Sequence, residues 1–447
     1  MDTFKEIPRT HNYEDFTYNF NCKDGCKNKE RNVDFVHKII GFLKMLEDSK
    51  NVNYALNELE TNIRKTKCDL SDLFIREKYI ELLMNTLYNN ESSEQAATIF
   101  QIFIYLSLKS EKFLEFFMLN IDTIYKSFVK FPSSQAIMLF CNLMINDLKM
   151  INYFQSKDII DIMYYLLGNN PSHDIIVSLS DFYYIITVNG YLLSSFHEND
   201  VSSIYNKCCD ISHFFFEKNE EKMITTSLLM LKELCTSSIL NFNQLFTDKI
   251  IVDLYNMIMK RKYLPEIIGI LISICKFYPQ FIDAFLSADS PLFSSLNRFS
   301  LSSIHDGLII LPLLISLTNI SDDLANTIIH YDFLSSLYSN LDNLSYLQKK
   351  LFVNLICSLI NKIDKKMIYC IEMEKYLNII FEFLDYNEED NFVILILKTL
   401  QILLDNSLCF GNVITQEELI DKLEELNYHI KKLEIQERIQ YLLNLWT

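Results

Sequence analysis

From about Val33 to the end of the chain, apolar residues recur at the three-to-four spacing of one helix face, in segments of 8 to 16 residues separated by short polar joints. Strictly alternating runs bounded by Asn-Gly or Asp-Gly turns, the mark of strands and hairpins, are missing. Helix is therefore expected to follow helix. The longest and most apolar segment recurs as Asn53–Arg64, Gln95–Leu108, Ser133–Ile145, His173–Val188, Lys222–Thr236, Pro265–Phe277, Asp306–Thr318, Gln348–Asn361 and Asn391–Asp405. Each is followed by a short helical segment and a medium one, as in Glu111–Met118 and then Ile121–Val129.

One comparable position near the end of each long segment gives Asn62, Tyr105, Asn142, Ile185, Glu233, Ser273, Ser316, Ser358 and Ile402, with a mean separation of about 42 residues. Helical arrays with that period are the HEAT and armadillo types, and three helices per unit select armadillo. Proline agrees, because a residue without an N–H is tolerated at a first helical turn or between helices. Pro132, Pro171 and Pro265 fall just before long segments, Pro279 lies in a joint, and Pro291 follows Ser290 at a helix start. Pro312 falls inside the seventh long segment, where a kink or a shifted boundary is expected. One such unit cannot bury its apolar stripe alone, and stacking merges the stripes into a continuous core. The expected fold is an all-α, right-handed α-solenoid, a superhelix of about 9–10 armadillo-type three-helix repeats. It would span residues 32–447 with capping helices over 416–446, preceded by a polar, flexible tail over 1–31.

Composition narrows the choice between this array and several separate domains. Seven Gly and seven Pro in 447 residues leave few tight turns and no Pro- or Gly-rich linker between Val33 and Thr447, which disfavours separate bundles. A hydrophobic fraction of 49 % suffices for a continuous core. The net charge of −17 repels phosphate backbones and anionic headgroups, so no nucleic acid or membrane partner is expected, and a basic or amphipathic protein segment is favoured. Leu308–Leu317 and Phe392–Leu404 are interrupted by Pro312 and Lys398 and fall short of the roughly 18 apolar residues of a membrane span. The first ten residues carry Asp2, Lys5, Glu6 and Arg9 without an apolar core, so no secretory signal is visible and a cytoplasmic or nuclear location is expected. Eleven scattered Cys without a C-x-x-C pair read as reduced thiols filling the core. Cys22 and Cys26, with His11 and His37 on either side, have zinc-ligand chemistry but none of the standard spacings, so no metal or other cofactor is expected.

The third long segment reads Ser134-Gln135-Ala136-Ile137-Met138-Leu139-Phe140-Cys141-Asn142-Leu143 and is followed by Met150-Ile151-Asn152-Tyr153-Phe154. This resembles the importin-α type of armadillo repeat, whose third helix runs Gln-Ala-x-Trp-Ala-Leu-x-Asn. Leu419–Leu426, His429 and Ile435–Leu445 are similar to that family's closing half-repeat. The resemblance implies capture of an extended basic peptide on a ladder of Trp-x-x-x-Asn pairs, and so a divergent nuclear transport receptor. Here the Trp positions read Gln101, Met138, Asp181, Leu229, Gly269, Pro312, Asn354 and Lys398, and the sole Trp, Trp446, falls in the last helix, where core packing is expected. The Arg-rich importin-β-binding segment of that family is also missing, since residues 1–31 hold six basic and six acidic side chains.

In such an array the long third helices line the concave face, which makes Gln101, Tyr105, Met138, Asn142, Asp181 and Glu233 the expected partner-binding strip. Asp181 and Glu233 would meet Lys or Arg of a bound segment and Asn142 its backbone. No phosphate-binding Gly-rich loop occurs. His197-Glu198-Asn199-Asp200 lacks the second His of a zincin helix and reads as a joint. Cys208 and Cys209 are adjacent, which places them on different sides of a helix, and Lys260-Arg261-Lys262 reads as a solvated joint. Nothing points to catalysis. The expected function is a non-enzymatic adaptor that holds a partner segment in its groove; the alternative is a cytosolic armadillo-type scaffold or co-chaperone with no transport role.

Overall fold

The computed structural model describes residues 29–446 except 48–50, 67–68, 158, 193–200, 238–239, 283–290, 303, 340, 364, 369–370, 386 and 407–413. The proposed tail ligands His11, Cys22 and Cys26 and the joint at His197–Asp200 lie outside the described residues, as does the side chain of Trp446. The described chain holds helices and no strand, and falls into two compact units, Met1–Tyr191 and Leu192–Thr447.

Helix starts follow from local chemistry. Ser92, Ser133, Thr247 and Ser321 each accept a hydrogen bond from the backbone N–H three residues on, satisfying a donor that the first turn leaves unpaired. Asn241 with Gln244, Ser345 with Gln348 and Thr415 with Glu418 form reciprocal capping boxes. Glycine is scarce, so the left-handed joint positions are held largely by Asn51, Asn170, Asn219 and Asp332, whose short polar side chains tolerate that conformation best.

In the first unit, α1 (Lys29–Glu47) packs on α2 (Val52–Lys65). Three short, medium and long triplets follow: α3 (Ser71–Arg76), α4 (Tyr79–Tyr88) and α5 (Ser93–Ser107); α6 (Glu111–Leu119), α7 (Ile121–Lys130) and α8 (Ser134–Asn146); α9 (Lys149–Gln155), α10 (Ile159–Gly168) and α11 (His173–Val188). The long helices pack in the order α2, α5, α8, α11. They run parallel: Gln95 Nε2 donates to Asn53 Oδ1 at 2.7 Å near the starts of α5 and α2, and Asn142 Nδ2 approaches Ser107 Oγ at 3.5 Å near the ends of α8 and α5. Lys109, just past α5, donates to the Thr66 carbonyl just past α2, and Lys130 reaches the Asn90 carbonyl at 2.6 Å. Each of these bonds joins residues about one repeat apart, an independent confirmation of the period. Phe140 on α8 meets Phe128 of its own triplet at a centroid separation of 5.1 Å and Phe154 of the next triplet at 4.5 Å, and Phe154 meets Phe182 on α11 at 6.3 Å, so aromatic rings connect successive repeats.

The second unit begins with α12 (Val201–Lys218), an 18-residue helix packed along α13 (Glu221–Leu234). Then come α14 (Phe242–Leu245), α15 (Asp248–Met259) and α16 (Leu264–Phe277), a short 3-10 turn at Pro279–Phe281, α17 (Pro291–Ser302) and α18 (Ile304–Thr318). The remainder is α19 (Asp322–His330), α20 (Phe333–Tyr338), α21 (Tyr346–Ile360), α22 (Lys365–Ile368), α23 (Met373–Glu382), α24 (Asp390–Asp405) and the closing pair α25 (Gln416–His429) and α26 (Leu433–Trp446). Again the long helices pack in order, α13 on α16, α18, α21 and α24, with α26 against α24. Tyr278 Oη reaches the carbonyls of Ser237 at 2.9 Å and Leu240 at 2.8 Å, and Asn361 Nδ2 donates to Thr399 Oγ1 at 2.8 Å. Lys350 on α21 pairs with the enclosed carboxylate of Glu388 at 2.7 Å, beside the start of α24.

Pro312 decides between the two outcomes expected there only in part. The helix boundary is not shifted, because α18 runs through it from Ile304 to Thr318. Pro312 is half-exposed on the side of α18 left open by its neighbours, where the hydrogen bond its ring removes faces outward, and α16 and α21 hold the rest of the helix in place. The other prolines fall as expected; Pro265 lies in the first turn of α16 and Pro291 opens α17.

Candidate functional site

Beyond their first turns, α5, α8 and α11 are each enclosed on all sides but one. In the first unit the open stripe of α5 carries Thr98, Gln101, Tyr105 and Leu108, that of α8 Gln135, Met138, Asn142 and Ile145, and that of α11 Val177, Asp181, Tyr184 and Val188. Five of the six strip residues expected from the sequence thus share this one face, and the sixth, Glu233, lies half-exposed on the corresponding stripe of α13 in the second unit. In the second unit Leu229, Gly269, Pro312, Asn354 and Lys398, four residues before the corresponding anchors, are all partly accessible.

The five differ in what they offer. Met138 is 36 % exposed and presents a flexible thioether at the middle of the face. Gln101 and Tyr105 are half-exposed one turn apart on α5, so amide and phenol lie side by side. The Asn142 amide is partly engaged by Ser107, which fixes its orientation and leaves acceptor capacity on its carbonyl oxygen. Asp181 is only 9 % exposed, so it colours the face with negative charge more than it reaches out from it.

Sequence reasoning passed over three further residues. Leu108, Ile145 and Val188 are 47, 51 and 49 % exposed at the ends of α5, α8 and α11. They stand three residues after the anchors Tyr105, Asn142 and Ile185, so comparing that position between repeats would have found them. Covering half of each aliphatic side chain would contribute roughly 1 kcal/mol apiece.

Other clusters have structural roles. Cys209 Sγ lies 3.3 Å from the Gln244 carbonyl and 3.6 Å from His213 Nε2, which itself lies 2.9 Å from the Leu245 carbonyl. A ring nitrogen facing a carbonyl must carry the proton, so it cannot accept one from the thiol. Burial also pushes the Cys209 thiol up to about 12. This pair fastens α12 to α14 and does not form a thiolate. Cys208 is buried beside it, and Cys141, Cys235, Cys275 and Cys357 are buried as well. Lys260, Arg261 and Lys262 form an exposed joint after α15, with Arg261 3.7 Å from Asp306. Among the described residues no group of three potential ligands is placed to hold a metal ion, and no helix is long and apolar enough to cross a membrane.

No family model matches the sequence, and no curated protein matches it. Solved structures do. An engineered protein superposes with a TM-score of 0.64 at 10 % identity, covering 92 % of this chain and 98 % of that chain. A chain from a structure of the interaction between cadherin and β-catenin, controlled by a phosphorylation switch, superposes with a TM-score of 0.61 at 12 % identity, covering 91 % of this chain and 86 % of that one. The fold is an all-α helical-repeat fold of the armadillo kind, an α-solenoid. The narrower likeness to importin-α rests on the sequence motifs alone.

Proposed function

We propose that this chain is a protein-interaction adaptor whose long-helix stripes hold an extended, basic or amphipathic segment of a partner. The observation that carries the reading is the open stripe itself, a row of accessible side chains kept at one register on α5, α8 and α11 while the other sides of these helices are buried beyond the first turn. Similarity to a chain from the cadherin and β-catenin complex supports protein binding as the general role. Nuclear import is not part of the proposal, since the Trp ladder that would support it is missing from the long helices.

Affinity capture with the wild-type chain and two variants tests the idea. Gln101→Arg with Met138→Arg places cations on the open face, whereas Val252→Arg changes an exposed side chain of α15, outside the long-helix stripes. Partners identified by mass spectrometry should be lost from the first variant and retained by the second. The reverse pattern would shift the role to a scaffold that uses its other surfaces.

A further inference from the structure

The position three residues after the anchor lies at the end of every long helix. It reads Lys65, Leu108, Ile145, Val188, Thr236, Lys276, Asn319, Asn361 and Asp405. All nine are at least partly exposed. Six are polar, as a solvated helix end should be. The three aliphatic ones are consecutive and sit on α5, α8 and α11 of the first unit, where the parallel packing of the long helices places them along one edge. Scattered exposed apolar residues need no explanation, but three in a row at one register form a continuous apolar edge.

Charge on these helices is one-signed. α5, α8 and α11 contain Glu94, Asp174 and Asp181 and neither Lys nor Arg; in the second unit α18 also lacks both, whereas α13, α16, α21 and α24 carry Lys222, Lys232, Lys276, Lys349, Lys350 and Lys398. Parallel helices also bring their carbonyl ends together, and each end carries partial negative charge. At the end of α2 that charge is met by Arg64 and Lys65 and by Lys109, which donates to the Thr66 carbonyl. The residues equivalent to Lys109 in the next two repeats are Asn146 and Asn189, and each turns back to bond a carbonyl of its own helix. The last turns of α5, α8 and α11 contain no basic residue.

We infer that the edge formed by Leu108, Ile145 and Val188 docks an extended segment of another protein that carries an aliphatic or aromatic side chain at every third residue, with Lys or Arg between them. Packed helices lie roughly 8–10 Å apart. A polyproline-type extended chain rises about 3.1 Å per residue and turns the same side inward every third residue, so its repeat is about 9 Å and matches the helix spacing. The partner's cations lie against the aligned carbonyl ends and supply the positive charge that these three helices omit. Gln101 and Asn142, two turns and one turn back from the edge respectively, offer carboxamides to the unpaired backbone of an extended chain, which a helical partner would already have satisfied internally.

This inference rests on the adaptor reading, and the test separates the two. A phage-displayed library of random 16-residue segments is selected on the full-length chain, and enriched sequences are synthesised and measured by fluorescence anisotropy. The expected sequences carry apolar residues at i, i+3 and i+6 with interleaved Lys or Arg. Their affinity should fall at least tenfold for Leu108→Ser/Ile145→Ser/Val188→Ser. Asn146→Lys/Asn189→Lys, at exposed polar positions, should weaken the cationic peptides several-fold and leave versions with Lys and Arg replaced by Gln unaffected. Enrichment of seven-residue or aperiodic patterns would overturn the inference. So would peptides that bind the serine variant as well as the wild type; if those peptides are lost on Gln101→Arg/Met138→Arg, the adaptor reading survives, and if they are not, both fall. Binding that appears only after removal of residues 1–28 would assign the edge to the chain's own N-terminal segment, and self-association abolished by the serine variant would assign it to a second copy.

Discussion

Two glycines on long helices of this chain do opposite work. Gly190 follows the end of α11 with φ +70°, and the N–H groups of Gly190 and Tyr191 bond back to the carbonyls of Thr187 and Ile186, closing the helix end. Nothing would touch an added methyl there, so the cost of Gly190→Ala is conformational alone, about 1 kcal/mol of destabilisation. Gly269 lies within α16, where a methyl would come within 3.1 to 3.4 Å of the outer Lys232 side chain. That flexible chain can move aside and Ala favours the helix, so Gly269→Ala is expected to be neutral or to stabilise by up to about 0.5 kcal/mol. Urea unfolding midpoints of the two variants should move in opposite directions or, for the second, stay put. The cysteines illustrate how residue chemistry follows burial: the Cys275 and Cys357 thiols are pushed up to about 12 by their enclosed surroundings, which agrees with their reading as core fillers.

Among the elements, α8 joins the most interactions of the first unit. Phe140 is fully buried and has Tyr125, Phe128 and Phe154 as ring neighbours, so Phe140→Ala is expected to cost about 3–5 kcal/mol, measured as a shift of the unfolding midpoint. At the opposite end of the chain, α25 starts with a capping box in which the backbone N–H and hydroxyl of Thr415 hold the Glu418 carboxyl below the usual carboxylate range. A lowered folded value means that this contribution is present above the ordinary glutamate pKa and is lost as the pH falls through the folded one. Amide exchange in the first turn of α25 should therefore quicken as acid is added, after correction for intrinsic rates, and Thr415→Ala should remove that extra pH dependence. Boundaries were readable to within about two residues: α11 falls at His173–Val188 as expected, whereas α5 and α21 start at Ser93 and Tyr346, two residues before the expected Gln95 and Gln348. At Pro312, where a kink or a shifted boundary was expected, the boundary is not shifted, because a proline's effect depends on which side of the helix it occupies.

For the whole molecule, a net charge of −17 should steer cationic segments toward the chain over a distance that salt shortens. Stopped-flow association of a Lys-containing peptide is expected to slow several-fold between about 20 and 200 mM salt, with a smaller change in dissociation. The array itself was legible because a period of about 42 residues is impressed on the apolar pattern and on proline placement, and hydrogen bonds such as Gln95 to Asn53 and Lys109 to Thr66 join residues one period apart. Helix type, repeat length and the side of each long helix left open follow from spacing along one chain, since a three-to-four periodicity records which side each helix must bury. Packing between repeats decided what spacing cannot carry: that Asp181 is nearly enclosed while Met138 is not, that the carboxylate of Glu388 is drawn in beside Lys350, and that Leu108, Ile145 and Val188 come together along one edge. A residue's own neighbours in sequence determine which way it faces. How much water it keeps is set by the helices on either side, which lie some forty residues away in the chain.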